Sequence, residues 1–262
     1  MGIRRRDTKP GALPPALTRL LHISLGASLL TALGWGLLQS IDMSGAQSGT
    51  ELLEWLPVVL MQTHFGLALL ARTALIMLAW LWLTRYNTLA RPTGPIVLLA
   101  CALVLQVLMG HGASHGWLLP MLLALHLLAA ALWLGGLIPL TLGIRHQSRQ
   151  AWPLLTAFST LGLVCVSTLA VTAVGQGLLM VGSWQALLDT DYGRLVLVKT
   201  AIFGALLAAA CLNRFRWMPA LRVRQPDSTL RHLRMTLMLE IALGIAVLLV
   251  ASLLATLPPA DG

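Results

Sequence analysis

The sequence predicts an all-α fold, a polytopic transmembrane bundle of about seven helices, and three observations predict it. Hydrophobic residues fill 57% of the 262 positions and charged residues only 10%, a balance that no soluble domain of this length shows. The apolar residues gather in runs near the ~20 residues that a helix needs to cross a bilayer. None alternates with the period of two that barrel strands require. Basic residues, finally, fall on alternate loops between those runs.

A basic cytoplasmic tail, residues 1–16, carries Arg4, Arg5, Arg6 and Lys9. The transmembrane domain follows over residues 17–257, with spans expected at Leu17–Leu38, Leu60–Leu83, Ile96–Gly110, Leu118–Gly143, Leu154–Val181, Leu195–Leu212 and Met235–Leu257. The third is short unless it starts at Pro92 or Gly94, and proline suits a first helical turn. The first run is too long, and lacks a small-x-small site, for a cleavable signal peptide. Between the first two spans, Glu51-Leu52-Leu53-Glu54-Trp55-Leu56 reads as an amphipathic segment lying on the outer surface. No internal repeat is apparent, and no loop is long enough for a separate soluble domain. A short outer tail, residues 258–262, ends the chain.

Fifteen of the eighteen basic residues, from the N-terminal tail to the arginine-rich loop before the last span, lie on one side, and six of the nine acids on the other. The basic side is therefore cytoplasmic, with the N-terminus inside and the C-terminus outside. The net charge of +9 is accounted for as orientation signal, with some attraction to anionic headgroups, and calls for no nucleic acid. Trp55, Trp117 and Trp184 near the outer boundary, and Trp80, Trp82, Trp152 and Trp217 near the inner one, form the expected interfacial belts. Trp133 lies deep in the fourth span. Cys101, Cys165 and Cys211 stand singly in three helices and read as small packing residues.

Chemistry concentrates in histidines on the outer side. His111 and His115 flank a tight reversal after the third span, and His64 begins the second. His126 lies roughly 13 Å down the fourth helix at 1.5 Å per residue. An imidazole at that depth must find a partner, and Trp133, Gly136 and Pro139 continue its face toward the bundle. Met43, Met61, Met109, Met121 and Met180 sit at similar outer positions. Imidazole with thioether is the donor set that Cu⁺ prefers, while imidazole alone also suits Cu²⁺ or zinc. His22, His146 and His232, on the inner side, read as solvated or headgroup-facing.

Three ionisable groups fall inside spans: Arg72, Lys199 and Glu240. Lys199 can snorkel outward, Arg72 is deep enough to point into the protein, and depth suggests His22 or Arg19 as the neighbour of Glu240. Two buried cations near a metal entrance oppose cation passage unless they are neutralised or shape a gate. Gln62, Gln106 and Gln176 are candidates for the same polar network.

The stretch His126-Leu-Leu-Ala-Ala-Ala-Leu-Trp133-Leu-Gly135-Gly136 resembles the histidine–tryptophan–glycine helix of the bacterial copper resistance protein D family. Other stretches agree in order: Met43-Ser44-Gly45, Thr63-His64-Phe65-Gly66 with Arg72, Gly110-His111, Tyr192-Gly193-Arg194 with Lys199, Leu212-Asn213-Arg214-Phe215, Leu230-Arg231 with Glu240 and Gly244, and Pro258-Pro259. The resemblance implies a multi-pass protein of the bacterial inner membrane that handles copper, Cu⁺ or Cu²⁺, often beside a periplasmic carrier of the CopC type. On it, His111 and His126, with His64 and His115, are the copper-contacting set; Arg72, Lys199 and Glu240 are matched intramembrane charges without an assigned role. It also implies eight helices, so that this chain is expected to lack the usual first one. Leu69 stands where the family pattern expects an aromatic.

The leading expectation is thus a copper transport or copper-delivery protein for uptake or resistance, and not an enzyme; no nucleotide-binding loop is present. A membrane-embedded haem b or quinone redox protein is the first rival, weakened because haem in a bundle takes histidines paired at one depth. A non-transporting scaffold that docks a periplasmic copper carrier is the second.

Overall fold

The computed structural model describes residues 15–86, 92–109, 116–145, 151–181, 183–223 and 227–257, and every described element is helical. The chain falls into two compact units, Met1–Ser114 and His115–Gly262.

In the first unit, α1 (Pro15–Ser44) is followed by the shorter α2 (Gly49–Gln62), then α3 (His64–Tyr86) and α4 (Thr93–Leu105), which tightens into a 3₁₀ turn at Gln106–Met109. α2 starts at Ser48, whose hydroxyl accepts from Glu51 N–H, while the Glu51 carboxylate takes the N–H of Gln47. α3 packs against α4 and α1 around Leu25, Ile76 and Ala102. Trp80 is tied inward as well as interfacial: its indole N–H donates to His22 Nδ1 at 2.8 Å. His22 is thus a satisfied side chain within the unit.

The second unit comprises α5 (Leu118–Arg145), α6 (Ala151–Met180), the single-turn α7 (Trp184–Asp189), α8 (Asp191–Leu212), a π turn at Asn213–Trp217, α9 (Met218–Val223) and α10 (Asp227–Leu254). α5 packs on α6 and α8 on α10. Gly136 allows the close approach of α5 and α6, since a Cβ there would strike the Phe158 ring.

Six helices are long and apolar enough to span a membrane, Pro15–Ser44, His64–Tyr86, Leu118–Leu142, Ala157–Met180, Asp191–Ala220 and Ser228–Leu254, and Thr93–Met109 is a shorter apolar one. Their outward faces are leucine and valine, as at Leu30, Leu33, Val171 and Leu178, each more than 60% exposed, a surface suited to hydrocarbon. Six of the seven expected spans thus correspond to helices of spanning length, the third expected span to the shorter one, and two boundaries shift most. The second was expected to start at Leu60, but Leu60–Gln62 belong to α2 and the membrane helix starts at His64. The arginine-rich stretch expected as a loop after Leu212 is helical through Val223, and α10 begins at Asp227 rather than Met235. Hydropathy ends where arginines begin, whereas the helix continues because their long stems can lie along apolar surface.

The structure also corrects the expectation that no repeat exists. α2 ends and α3 begins at Thr63, whose hydroxyl donates to Val59 O at 2.6 Å and accepts from Gly66 N–H at 3.0 Å. α7 gives way to α8 at Thr190 in the same manner, with Ala186 O at 2.6 Å and Gly193 N–H at 3.0 Å. A Cβ on either glycine would collide with backbone of the preceding helix. Beyond the corner, Arg72-Thr73-Ala74-Leu75 stands at the same offset from Thr63 as Lys199-Thr200-Ala201-Ile202 does from Thr190. Thr73 and Thr200 each donate to the carbonyl four residues back, at 2.7 and 2.8 Å. Arg72 and Lys199 are therefore equivalent positions of a repeated corner, one in each unit.

Candidate functional site

His126 lies on the third turn of α5, about 12 Å from Leu118 along the axis. Its Nδ1 is 2.8 Å from Thr172 Oγ1 on α6. The Thr172 hydroxyl directs its only proton to the carbonyl of Thr168, 2.7 Å away on its own helix, so its oxygen is left to accept. With the Thr172 proton given to its own helix, Nδ1 of His126 can donate to the Thr172 oxygen, and that tautomer leaves the Nε2 lone pair free for a ligand. One turn along the same face of α6, Gln176 Nε2 reaches Leu122 O on α5 at 3.5 Å. One turn further, Met180 Sδ receives the Tyr192 hydroxyl at 3.5 Å from the start of α8. Lys199 lies half-buried on α8, two turns past Tyr192. A polar seam therefore runs through the end of this unit that carries α7.

The seam is closed from below. Trp133, two turns past His126 on α5, is 3% exposed and meets Phe203 edge-to-face at 6.5 Å between centroids. Ala129, Cys165, Leu169 and Leu206 complete this apolar layer. Beyond it, towards the π turn, lies a cavity of about 100 Å³ whose lining includes Trp133, Phe158, Ser159, Asn213, Arg214 and Glu240. Glu240 is 2% exposed. Its partner is Asn213, the first residue of the π turn, whose amide donates to Oε1, while Asn213 Oδ1 accepts from Thr236. This replaces the expected neighbours His22 and Arg19. Arg214 is engaged elsewhere, with Nη1 donating to Ser159 O at 2.7 Å and Oγ at 2.5 Å.

The other sequence candidates are less connected. His64 is exposed at the first turn of α3. Arg72 is half-buried in α3 and makes no hydrogen bond or ion pair among the described residues. His111 and His115 lie outside the described residues. Among the described residues no three His, Cys, Asp or Glu side chains converge on one point. Cys165 is buried, as packing would have it, whereas Cys101 and Cys211 are exposed on lipid-facing helices. Gln176 joins the polar seam, Gln62 is exposed, and Trp117 and Trp184 are about three-quarters exposed, as interfacial indoles should be. Thr172 and Thr236 escaped sequence reasoning, and Asn213 entered it only within the family pattern, without a partner. The one available signal was the four-residue spacing of Thr168, Thr172 and Gln176, a polar stripe on an apolar helix.

Two family models match this arrangement, one for the copper resistance protein D-like N-terminal domain over residues 4–121 and one for copper resistance protein D over residues 152–254. The chain belongs to the copper resistance protein D family. The two matches fall largely on the two compact units. Among relatives, it is 29% identical over 253 residues to the inner membrane protein YebZ of Escherichia coli, covering 86% of this chain and 82% of that one. It is 28% identical over 278 residues to copper resistance protein D of Pseudomonas syringae pv. tomato, covering 98% and 88%. Copper transport protein CutJ of Bacillus subtilis is 28% identical over 184 residues, 66% of this chain, and the chain spans about a third of its length. No solved structure matches. The protein is thus a multi-pass inner-membrane protein of a copper-handling family, and its relatives carry transport and resistance names rather than enzyme names.

Proposed function

We propose that this protein receives copper at the membrane face that carries α7 and moves it toward the cytoplasm or delivers it within the membrane. That face is the periplasmic one on the positive-inside reading, which puts the N-terminus inside and the C-terminus outside. The observation that supports the proposal is the His126–Thr172 hydrogen bond: with Nδ1 as its donor, Nε2 is left free, as in histidines whose other ring nitrogen is held while they bind a metal. His111, His115, His64 and the Met180 thioether supply further donors suited to Cu⁺ or Cu²⁺. Lys199 weakens retention of any cation at His126, and weak binding favours a transit site over a storage site. Trp133 and its apolar layer form the barrier that the ion must pass. A periplasmic carrier of the CopC type is the natural source of copper, and the lipid bilayer is the surrounding partner.

The haem alternative fares worse at this site: the side chain that faces His126 at its depth is Thr172, not a second histidine. Copper uptake into vesicles reconstituted with wild-type, His126→Ala and Thr172→Val proteins tests the proposal. Uptake by the wild type that is lost in His126→Ala supports it. Uptake unchanged in His126→Ala refutes it.

A further inference from the structure

Glu240 plays no part in the His126 seam, yet it is the most thoroughly buried charged side chain among the described residues. Among those residues the only ion pair is Arg194 with Asp191, at 3.7 Å. Among the described residues Glu240 therefore has no counter-ion. Burying an ionised carboxylate without one is strongly unfavourable, so the group must hold either a proton or a cation. On the cavity wall that it shares, α5 contributes Trp133 and Leu140, α6 contributes Ser159, and α9 contributes Met218. The titratable groups on these surroundings are Cys211, at the cavity wall, and Arg214, whose guanidinium is bound to Ser159.

The hydrogen-bond chain from Glu240 satisfies both protonation states. With the carboxylate ionised, Asn213 Nδ2 donates to Glu240 Oε1 and Thr236 donates to Asn213 Oδ1. With the carboxyl protonated, the amide turns over. The Glu240 hydroxyl then donates to Asn213 Oδ1, Asn213 Nδ2 donates to Thr236 Oγ1, and the Thr236 proton goes to the carbonyl of His232 or Leu233, each already 3.0 Å away. Each bond along the Glu240–Asn213–Thr236 chain thus keeps a donor and an acceptor in either arrangement. The adjoining cavity, about 100 Å³ with Ser159, Asn213 and Arg214 on its wall, has room and polar partners for water, so a released proton has somewhere to go.

From this geometry we infer that Glu240, held by Asn213 and Thr236, is a proton-binding site that exchanges its proton with the adjoining cavity when a cation passes. In the step the carboxyl O–H bond breaks, the proton passes to cavity water as hydronium, and the electron pair stays on the carboxylate, where the charge of the passing cation is balanced. The protonation half stands without the copper proposal, whereas the coupling half rests on it.

Infrared difference spectroscopy across a pH titration of the copper-free protein in lipid nanodiscs reads the first half. The expected result is a protonated-carboxyl C=O band that shifts in ²H₂O, is absent in Glu240→Gln, and changes its titration midpoint in Asn213→Ala. A carboxyl band that survives Glu240→Gln, or no titrating band in the wild type, overturns the inference. Vesicles loaded with a pH-sensitive dye read the second half: copper movement should be accompanied by a lumenal pH change in the wild type and by none in Glu240→Gln. Copper movement by the wild type without any pH change overturns the coupling. A wild type that moves no copper overturns the transport proposal instead, and the infrared titration then decides the proton site alone. Size-exclusion profiles matching the wild type show that the variants are folded.

Discussion

Replacing Thr172 by valine keeps the volume of the side chain and removes the oxygen that holds His126. The structure gives the scale of the effect. The bond is 2.8 Å long and part-buried, and a buried donor left without its acceptor costs about 1–3 kcal/mol. The imidazole escapes part of that cost by moving its proton to Nε2, which is the nitrogen needed for copper. Loss of a second-shell partner of this kind typically weakens metal binding by about 10–100-fold. Thr172→Val should therefore weaken Cu⁺ binding by that amount, measured anaerobically in detergent against a competing chelator. Thr172→Ser should restore it, because the hydroxyl returns. Thr200→Val, which removes an exposed hydroxyl bonded only to its own helix, should leave it unchanged. An affinity for Thr172→Val within twofold of the wild type would refute the tautomer reasoning.

Three further outcomes follow from the same geometry. Lys199→Met removes the intramembrane positive charge that the proposal sets against cation retention at His126 and should tighten copper binding by roughly tenfold or more while slowing release, read by the same titration and by stopped-flow chelation. Trp133→Ala opens the apolar layer beneath the seam at a cost of about 3–5 kcal/mol, and should make reconstituted vesicles leak protons, seen as faster decay of an imposed pH gradient. Gly66→Ala and Gly193→Ala should each destabilise their unit by about 1–3 kcal/mol through collision with backbone. Gly135→Ala, with open space at its Cβ, should be neutral or slightly stabilising, and thermal unfolding in detergent orders the three.

Hydropathy made the spans legible because each must present an apolar surface to lipid along its whole length. It hid the junction at Thr63, because Val58, Val59, Leu60 and Met61 carry the apolar run straight across the end of α2. The repeat was hidden by exchanges of identity: Phe65 for Tyr192 and Arg72 for Lys199 keep the chemical type, whereas His64 stands where Asp191 does and shares only the backbone geometry. His126 and Glu240 were legible because an imidazole or carboxylate inside a membrane demands an explanation. Their partners were not. Thr31, Thr73, Thr141, Thr168 and Thr200 all bond their own helix, so only the Thr168–Thr172–Gln176 spacing sets Thr172 apart from the rest. Asn213 fell in a stretch that its arginines made look like a loop, and that placement sent Glu240 toward the wrong neighbours.

The most direct test of the copper route is uptake into proteoliposomes prepared with wild-type and His126→Ala protein, counted by elemental analysis of the washed vesicles. The wild type should accumulate copper above protein-free vesicles, and His126→Ala should fall to their level while remaining folded. Equal accumulation by both proteins would contradict the route through His126.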